Sequence, residues 1–145
     1  MPELTATHLF DTPAASVWQT LADFGAIQRW WPVDISMPIE RVTLEGEGIG
    51  MIRHITNRGA RHPISERLEL LDSEARRLVL SIVGERPLGI TAYLAEGHVV
   101  EADGARCRLD YRALFTTVPG NEDAARRALL KSWRVMFRGL ELACQ

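Results

Sequence analysis

The sequence lacks an excess of positive charge, long apolar runs and cysteine pairs. Its 145 residues include 17 lysines and arginines against 19 aspartates and glutamates, so the net charge of −2 creates no field that attracts a polyanion. The longest dense apolar stretch, Leu78 to Val83, is far shorter than the ~18 residues that indicate a membrane span. The two cysteines, Cys107 and Cys144, match no metal or redox motif. These absences argue against nucleic-acid binding, integral membrane association and a disulfide framework.

Targeting signals and cofactor motifs are equally scarce. The first residues, Met-Pro-Glu-Leu-Thr, have neither the basic head nor the apolar stretch of a signal peptide, so we expect a cytoplasmic protein. The glycine-rich loop at 46–50 leads into another strand, whereas a dinucleotide-binding loop leads into a helix. None of the four histidines has metal-ligand spacing. We therefore expect no cofactor and no metal. Since no linker divides the chain, we expect residues 1–145 to form a single domain.

Apolar periodicity predicts the order of the secondary-structure elements. A first strand at 4–10 stops at Asp11, and a short helix follows with Thr12 as its N-cap and Pro13 as its first helical residue. A second short helix, at about 25–31, ends before Pro32 because the residue before a proline avoids the α region. Strands linked by short turns then indicate an antiparallel meander. They are predicted at 40–44, 51–56, 64–71, 78–83, 90–101 and 106–117.

The longest helix is predicted at about 121–143. One face is apolar, and Arg127, Lys131, Arg134 and Arg138 lie on the opposite face, which we interpret as solvated. The predicted fold is therefore α+β, with about seven antiparallel strands curved around this helix and two short helices after the first strand. A strongly bent sheet cannot pack flush along a straight helix, so the gap is either a ligand cavity or an ordinary packed core.

Two opposite charges are predicted to face the interior. Arg53 and Glu66 lie on adjacent strands and share the parity of apolar neighbours such as Leu68 and Leu70. Charges directed into an apolar interior must be paired, because each lone ion would cost several kcal/mol. Such a pair could orient a polar group of a ligand, and Glu66 is a weak candidate for catalytic proton transfer. The alternative is a purely structural ion pair.

Four aromatic residues are further candidates for the same interior. Tyr93 and Tyr111 could donate hydrogen bonds to a ligand carbonyl or serve as core aromatics. Trp133 and Phe137 on the long helix are more often core than ligand contacts. In a fold built around a cavity, these two roles overlap.

Several short segments carry a resemblance to a known family. Asp23-Phe24-Gly25, Trp30, the pair Gly48 and Gly50, and the stretch from Glu66 to Asp72 stand where the START-like (SRPBCC) superfamily has its pattern. This superfamily has the helix-grip fold of the birch-pollen allergen, and within it the chain is most similar to the polyketide cyclase/dehydrase and lipid-transport group. The resemblance covers nearly the whole chain. It implies a helix-grip fold and a lipophilic ligand.

Residues 66–84 also resemble the plant abscisic acid receptors more distantly. That comparison implies pocket contacts at five positions, which are Arg53, Glu66, Leu80, Ile82 and Tyr93. It places a gate loop at 58–63 and a latch at 85–89. The receptors' lysine that holds the hormone's carboxylate has no counterpart, since that region reads Pro32-Val33-Asp34. Neither loop has the receptors' own sequence either, so binding of their hormone is not expected.

These observations favour binding of a small hydrophobic ligand in a cavity between the sheet and the long helix. The predicted ligand-binding residues are Arg53, Glu66, Leu80, Ile82, Tyr93, Tyr111, Trp133 and Phe137. One alternative is an enzyme resembling the polyketide cyclases, in which Glu66 assists enolisation in the same cavity. A second is a non-catalytic interaction domain whose Trp30-Trp31 pair lies in a surface patch. A homodimer is compatible with each of these functions.

Overall fold

The computed structural model describes residues 1–32 and 38–145. Its strands are β1 (Glu3–Phe10), β2 (Ile39–Glu45), β3 (Ile52–Asn57), β4 (Ile64–Asp72), β5 (Arg77–Val83), β6 (Ile90–Glu101) and β7 (Cys107–Thr117). Its helices are α1 (Ala14–Ala22), a 3-10 helix (Phe24–Arg29) and α2 (Glu122–Ala143). The predicted α+β class and the order of its elements are confirmed.

The strands form one antiparallel sheet in the order β1-β7-β6-β5-β4-β3-β2. Strands β2 to β7 pair with their neighbours in sequence because short turns connect them. β1 pairs instead with β7, so β1 and β2 form opposite edges of the sheet, and α1 with the 3-10 helix connects these edges. The curved sheet and the long C-terminal helix give the helix-grip fold.

Helix α1 begins differently from the prediction. Pro13, with φ −60° and ψ 147°, occupies the cap position, and its carbonyl accepts hydrogen bonds from the backbone N–H groups of Ser16 and Val17. The predicted Thr12 cap is wrong, because the hydroxyl of Thr12 instead donates to the carbonyl of Cys144 at 3.4 Å. This contact connects the entry of α1 to the residue that follows α2.

Helix α2 is amphipathic, as its spacing predicts. Its buried face includes Leu129, Trp133 and Leu140, which pack into the core beneath the sheet. The four basic residues predicted to face solvent, Arg127, Lys131, Arg134 and Arg138, are all exposed. No helix among the described residues is long and apolar enough to cross a membrane.

A β-bulge corrects one inward assignment on β4. The β4–β5 register shifts between Leu68 and Leu70, so Glu69 is the extra residue. Leu68 is buried, whereas Leu70, expected on the same face, is 42% exposed. The extra residue reverses the alternation of side chains beyond it, which is why simple parity fails for Leu70.

Candidate functional site

A cavity of about 420 Å³ lies between the sheet and α2. Strands β2 to β7 form one wall, α2 forms the other, and the 3-10 helix and the loop between β5 and β6 complete the lining. The lining is predominantly apolar, and its aliphatic, proline and methionine residues are Ile27, Ile39, Ile55, Ile64, Ile82, Pro87, Leu88, Ala128, Leu129 and Met136. Its size and lining match those of pockets that bind small molecules.

Six of the eight predicted ligand-binding residues line this cavity. They are Arg53, Glu66, Ile82, Tyr93, Tyr111 and Trp133. They come from strands β3 to β7 and from α2, so the tertiary fold brings together residues that are far apart in sequence.

The other two predicted residues, Leu80 and Phe137, lie in the packed core and not in the cavity wall. Leu80 stands two residues before Ile82 on β5, a displacement of ~6–7 Å along the strand, and faces Leu68 and Ala95. Phe137 lies one turn beyond Trp133, and its ring stacks on that of His8 at 5.3 Å. Both side chains point to the interior, as their position in the strand or helix predicts. They lie beyond the end of the cavity, where the interior is filled by packed side chains.

Arg53 and Glu66 form the charged part of the cavity wall. They lie on the adjacent strands β3 and β4, as predicted, and the register places them directly opposite each other. The Nε and Nη2 atoms of Arg53 both lie 2.8 Å from Oε1 of Glu66. Its third nitrogen, Nη1, donates to the carbonyl of Phe24 at 2.9 Å, and the guanidinium lies 3.9 Å from the centre of the Phe24 ring. Each side-chain nitrogen of Arg53 thereby has one partner, while Oε2 of Glu66 accepts no hydrogen bond from the described residues.

The ring of Tyr111 is placed by two small neighbours. Tyr111 faces Gly97 on β6 and Ala6 on β1, and a Cβ at position 97 would lie 3.3 Å from the Tyr111 ring. The space beside Gly97 is therefore filled by this aromatic ring. Tyr111 meets Trp133 edge to face with ring centres 4.8 Å apart, a geometry that aromatic pairs favour. Its hydroxyl makes no hydrogen bond within the described part of the chain.

Tyr93 is held by the same tryptophan. Nε1 of Trp133 donates to the Tyr93 hydroxyl at 3.3 Å, which leaves the tyrosine's own proton available to a ligand. Burial raises the pKa of Tyr93 and of Tyr111 well above the usual value of a phenol, with the Glu66 carboxylate adding to both shifts. Both phenols therefore stay protonated at physiological pH and can donate hydrogen bonds.

The sequence patterns did not identify several cavity residues. The most informative of these is Lys131, which lines the cavity although the helical pattern assigned it to the solvated face. Trp31 also lines the cavity, and Trp30 is buried in the core. This pair of tryptophans therefore does not form an exposed patch, contrary to the interaction-domain alternative.

No cluster of three or more His, Cys, Asp or Glu side chains with metal-binding geometry occurs within residues 1–32 and 38–145. The polar groups of the cavity are instead a paired guanidinium, a carboxylate with one uncommitted oxygen, two phenols, an ammonium, an amide and a hydroxyl. Asn57 and Ser132 supply the last two. Such groups can orient an apolar ligand through hydrogen bonds to one or two polar atoms.

Comparisons with known proteins agree with this architecture. The family model described as polyketide cyclase/dehydrase and lipid transport matches residues 1–144. No curated protein matches the chain. The sequence-based assignment to the START-like superfamily is confirmed by this match and by the structures of the same fold.

Three solved structures illustrate the likeness. XoxI from Bacillus cereus is 23% identical with a TM-score of 0.84, over 99% of this chain and 96% of that one. Norcoclaurine synthase from Thalictrum flavum, solved as a point mutant with a transition state analogue, is 17% identical with a TM-score of 0.79, over 98% and 93%. A protein from Thermobifida fusca is 31% identical with a TM-score of 0.75, over 89% and 83%.

Proposed function

Because the chain belongs to the polyketide cyclase/dehydrase and lipid transport family, we propose that it binds a small hydrophobic ligand carrying a polar group. The ligand occupies the cavity between the sheet and α2. The observation that carries this proposal is an apolar cavity of about 420 Å³ whose wall presents hydrogen-bonding groups without protein partners among the described residues.

The wall chemistry favours an amphipathic ligand over a pure hydrocarbon. Apolar surface buried on binding contributes roughly 25 cal/mol per Å² before the costs of association. The Tyr111 hydroxyl and Oε2 of Glu66 lose water when a ligand enters, and an unmade hydrogen bond costs about 1–3 kcal/mol. A carbonyl or hydroxyl on the ligand offsets this loss. Arg53, whose three nitrogens contact Glu66 and the Phe24 carbonyl, keeps Glu66 in place.

A larger side chain introduced on α2 tests whether the ligand binds in the cavity. Ala128 lines the cavity, and Ala124, one turn earlier, is exposed and does not. We expect Ala128→Trp to weaken binding of the neutral fluorophore 1-aminoanthracene at least about tenfold, because the indole occupies its space. Ala124→Trp adds the same group outside the cavity and is expected to bind the fluorophore as the wild type does.

Fluorescence titration of the three proteins measures these affinities, and native mass spectrometry of the protein from its own host identifies a co-purifying ligand. Equal binding by the wild type and Ala128→Trp contradicts the proposed site. Absence of both fluorophore binding and a co-purifying ligand favours the interaction-domain alternative.

A second candidate function is enolisation of a ketone in the same cavity. The uncommitted Oε2 of Glu66 can accept a proton from the carbon beside a carbonyl, while the phenols of Tyr93 and Tyr111 donate hydrogen bonds to the carbonyl oxygen. A base and donors acting on the two ends of the developing enolate constitute general acid–base catalysis.

Deuterium exchange tests this activity without knowledge of the natural substrate. We expect the wild type to accelerate exchange of the α-hydrogens of decan-2-one in D₂O, and Glu66→Gln to reduce the accelerated rate about 10²-fold or more. Glu69→Gln, on the same strand but outside the cavity wall, serves as the control. Thermal unfolding confirms that each variant is folded, and Tyr93→Phe provides a second variant with reduced exchange. A wild-type rate equal to the buffer rate argues against this candidate and leaves the binding function intact.

A further inference from the structure

The chain contains a single lysine, and that lysine lines the cavity. The remaining 16 of its 17 basic side chains are arginines. Lys131 lies on α2 between Ala128 and Ser132, which also line the cavity, and it is exposed to solvent. A lysine at the edge of an apolar opening can lay its methylene groups along the wall and keep its ammonium group in water.

The charges of the described cavity lining do not balance without a ligand. Among the lining residues that the structure describes, three are charged, namely Arg53, Glu66 and Lys131. Arg53 and Glu66 neutralise each other at 2.8 Å. No carboxylate lies within 4.0 Å of the Lys131 ammonium in the described ranges, so the lining has a net charge of about +1.

We propose that the ligand is a hydrophobic monocarboxylic acid whose carboxylate binds the Lys131 ammonium at the cavity opening while its apolar part lies inside. This inference rests on the proposed binding function and specifies its ligand class. One ammonium matches one carboxylate in charge, whereas a phosphate monoester has a charge of about −1.5 to −2 at neutral pH. The exposed position of Lys131 leaves the bound carboxylate partly hydrated, so its binding requires no full desolvation of the charge.

The rest of α2 supplies a matched control. Arg127 lies one turn before Lys131, is exposed, and does not line the cavity. Removing the charge of Arg127 therefore changes the electrostatic field around α2 by nearly the same amount as removing the charge of Lys131. An effect that is specific to Lys131 then reports a local contact.

The experiment compares decanoic acid with decan-1-ol, which share a chain length and differ in charge. Their affinities are measured at neutral pH by displacement of 1-aminoanthracene. We expect the wild type to bind the acid about five- to tenfold more tightly than the alcohol, as for a charge-assisted contact at a partly exposed site. Lys131→Gln reduces this preference to less than about twofold, while Lys131→Arg and Arg127→Gln retain it.

The single lysine also allows a direct spectroscopic test. Reductive methylation with ¹³C-formaldehyde labels Lys131 and otherwise only the terminal amino group, and it preserves the charge of the lysine. We expect decanoate to shift the Lys131 methyl resonance by a larger amount than decan-1-ol does.

Each result decides a different point. Equal affinity of the wild type for acid and alcohol overturns the assignment of a carboxylate and leaves the binding function standing. A preference that survives Lys131→Gln, or falls equally in Arg127→Gln, overturns the role of Lys131. Failure of the wild type to bind the fluorophore, the acid and the alcohol overturns the binding function and this inference together.

Discussion

Replacing Glu66 with leucine is expected to lower the free energy of unfolding by about 3–5 kcal/mol, because the change leaves a buried guanidinium without its carboxylate. The side chain of Arg53 is only 8% exposed, and two of its nitrogens are directed at Glu66. The third nitrogen is bound to the Phe24 carbonyl, so the guanidinium cannot turn towards water without breaking that bond. Urea unfolding of the variant measures the loss.

A double variant distinguishes two causes of the lower stability, the loss of the charge partner of Arg53 and the loss of side-chain packing at position 66. Arg53→Met combined with Glu66→Leu removes both charges, and we expect it to be more stable than Glu66→Leu alone. Recovery is incomplete because the Phe24 carbonyl also loses its donor.

An exposed ion pair provides the matched control. Arg77 and Glu96 also approach to 2.8 Å between adjacent strands, but both side chains are substantially exposed. Glu96→Leu is expected to cost at most about 1 kcal/mol. Unchanged stability of Glu66→Leu, or a loss no larger than that of Glu96→Leu, contradicts a buried charge pair at positions 53 and 66.

Replacing Gly139 with alanine is expected to destabilise the protein, although alanine is favoured over glycine by about 1 kcal/mol within a helix. A Cβ at position 139 would lie 2.5 Å from the carbonyl oxygen of Trp30 and 2.8 Å from Cδ of Pro32. The first of these atoms belongs to the backbone and cannot move aside by changing a rotamer. We expect a net loss of about 1–3 kcal/mol, since α2 and the segment at Trp30 must move apart.

Thermal unfolding measures this effect, and an exposed position of the same helix serves as the control. A loss of 1 kcal/mol lowers the Tm of a domain of this size by about 2–4 °C. Ala124→Gly, at an exposed position of α2, is expected to lose about 1 kcal/mol from helix propensity alone. A Tm for Gly139→Ala above that of the wild type contradicts the close approach of the helix to Trp30.

The predictions that failed concern positions whose environment is set by residues distant in sequence or by an irregularity of the sheet. The assignment of Leu70 to the interior failed at a bulge that the alternation of β4 does not reveal. The expected Thr12 cap failed because that hydroxyl contacts Cys144, which is remote in sequence. The predicted exposure of Lys131 is correct, but the helical pattern gave no indication that this residue also lines the cavity. Its occurrence as the single lysine was the one signal in the sequence that distinguished it.

The sequence by itself determined the order of strands and helices, the antiparallel pairing, the superfamily, and the inward direction of Arg53 and Glu66 on adjacent strands. These follow from apolar periodicity, short turns and family motifs, which are properties of neighbouring residues. Only the tertiary structure decided where the cavity ends, and therefore that Ile82 and Trp133 line it while Leu80 and Phe137 belong to the core. The boundary depends on how α2 packs across a curved and bulged sheet, and no pattern of neighbouring residues predicts that packing.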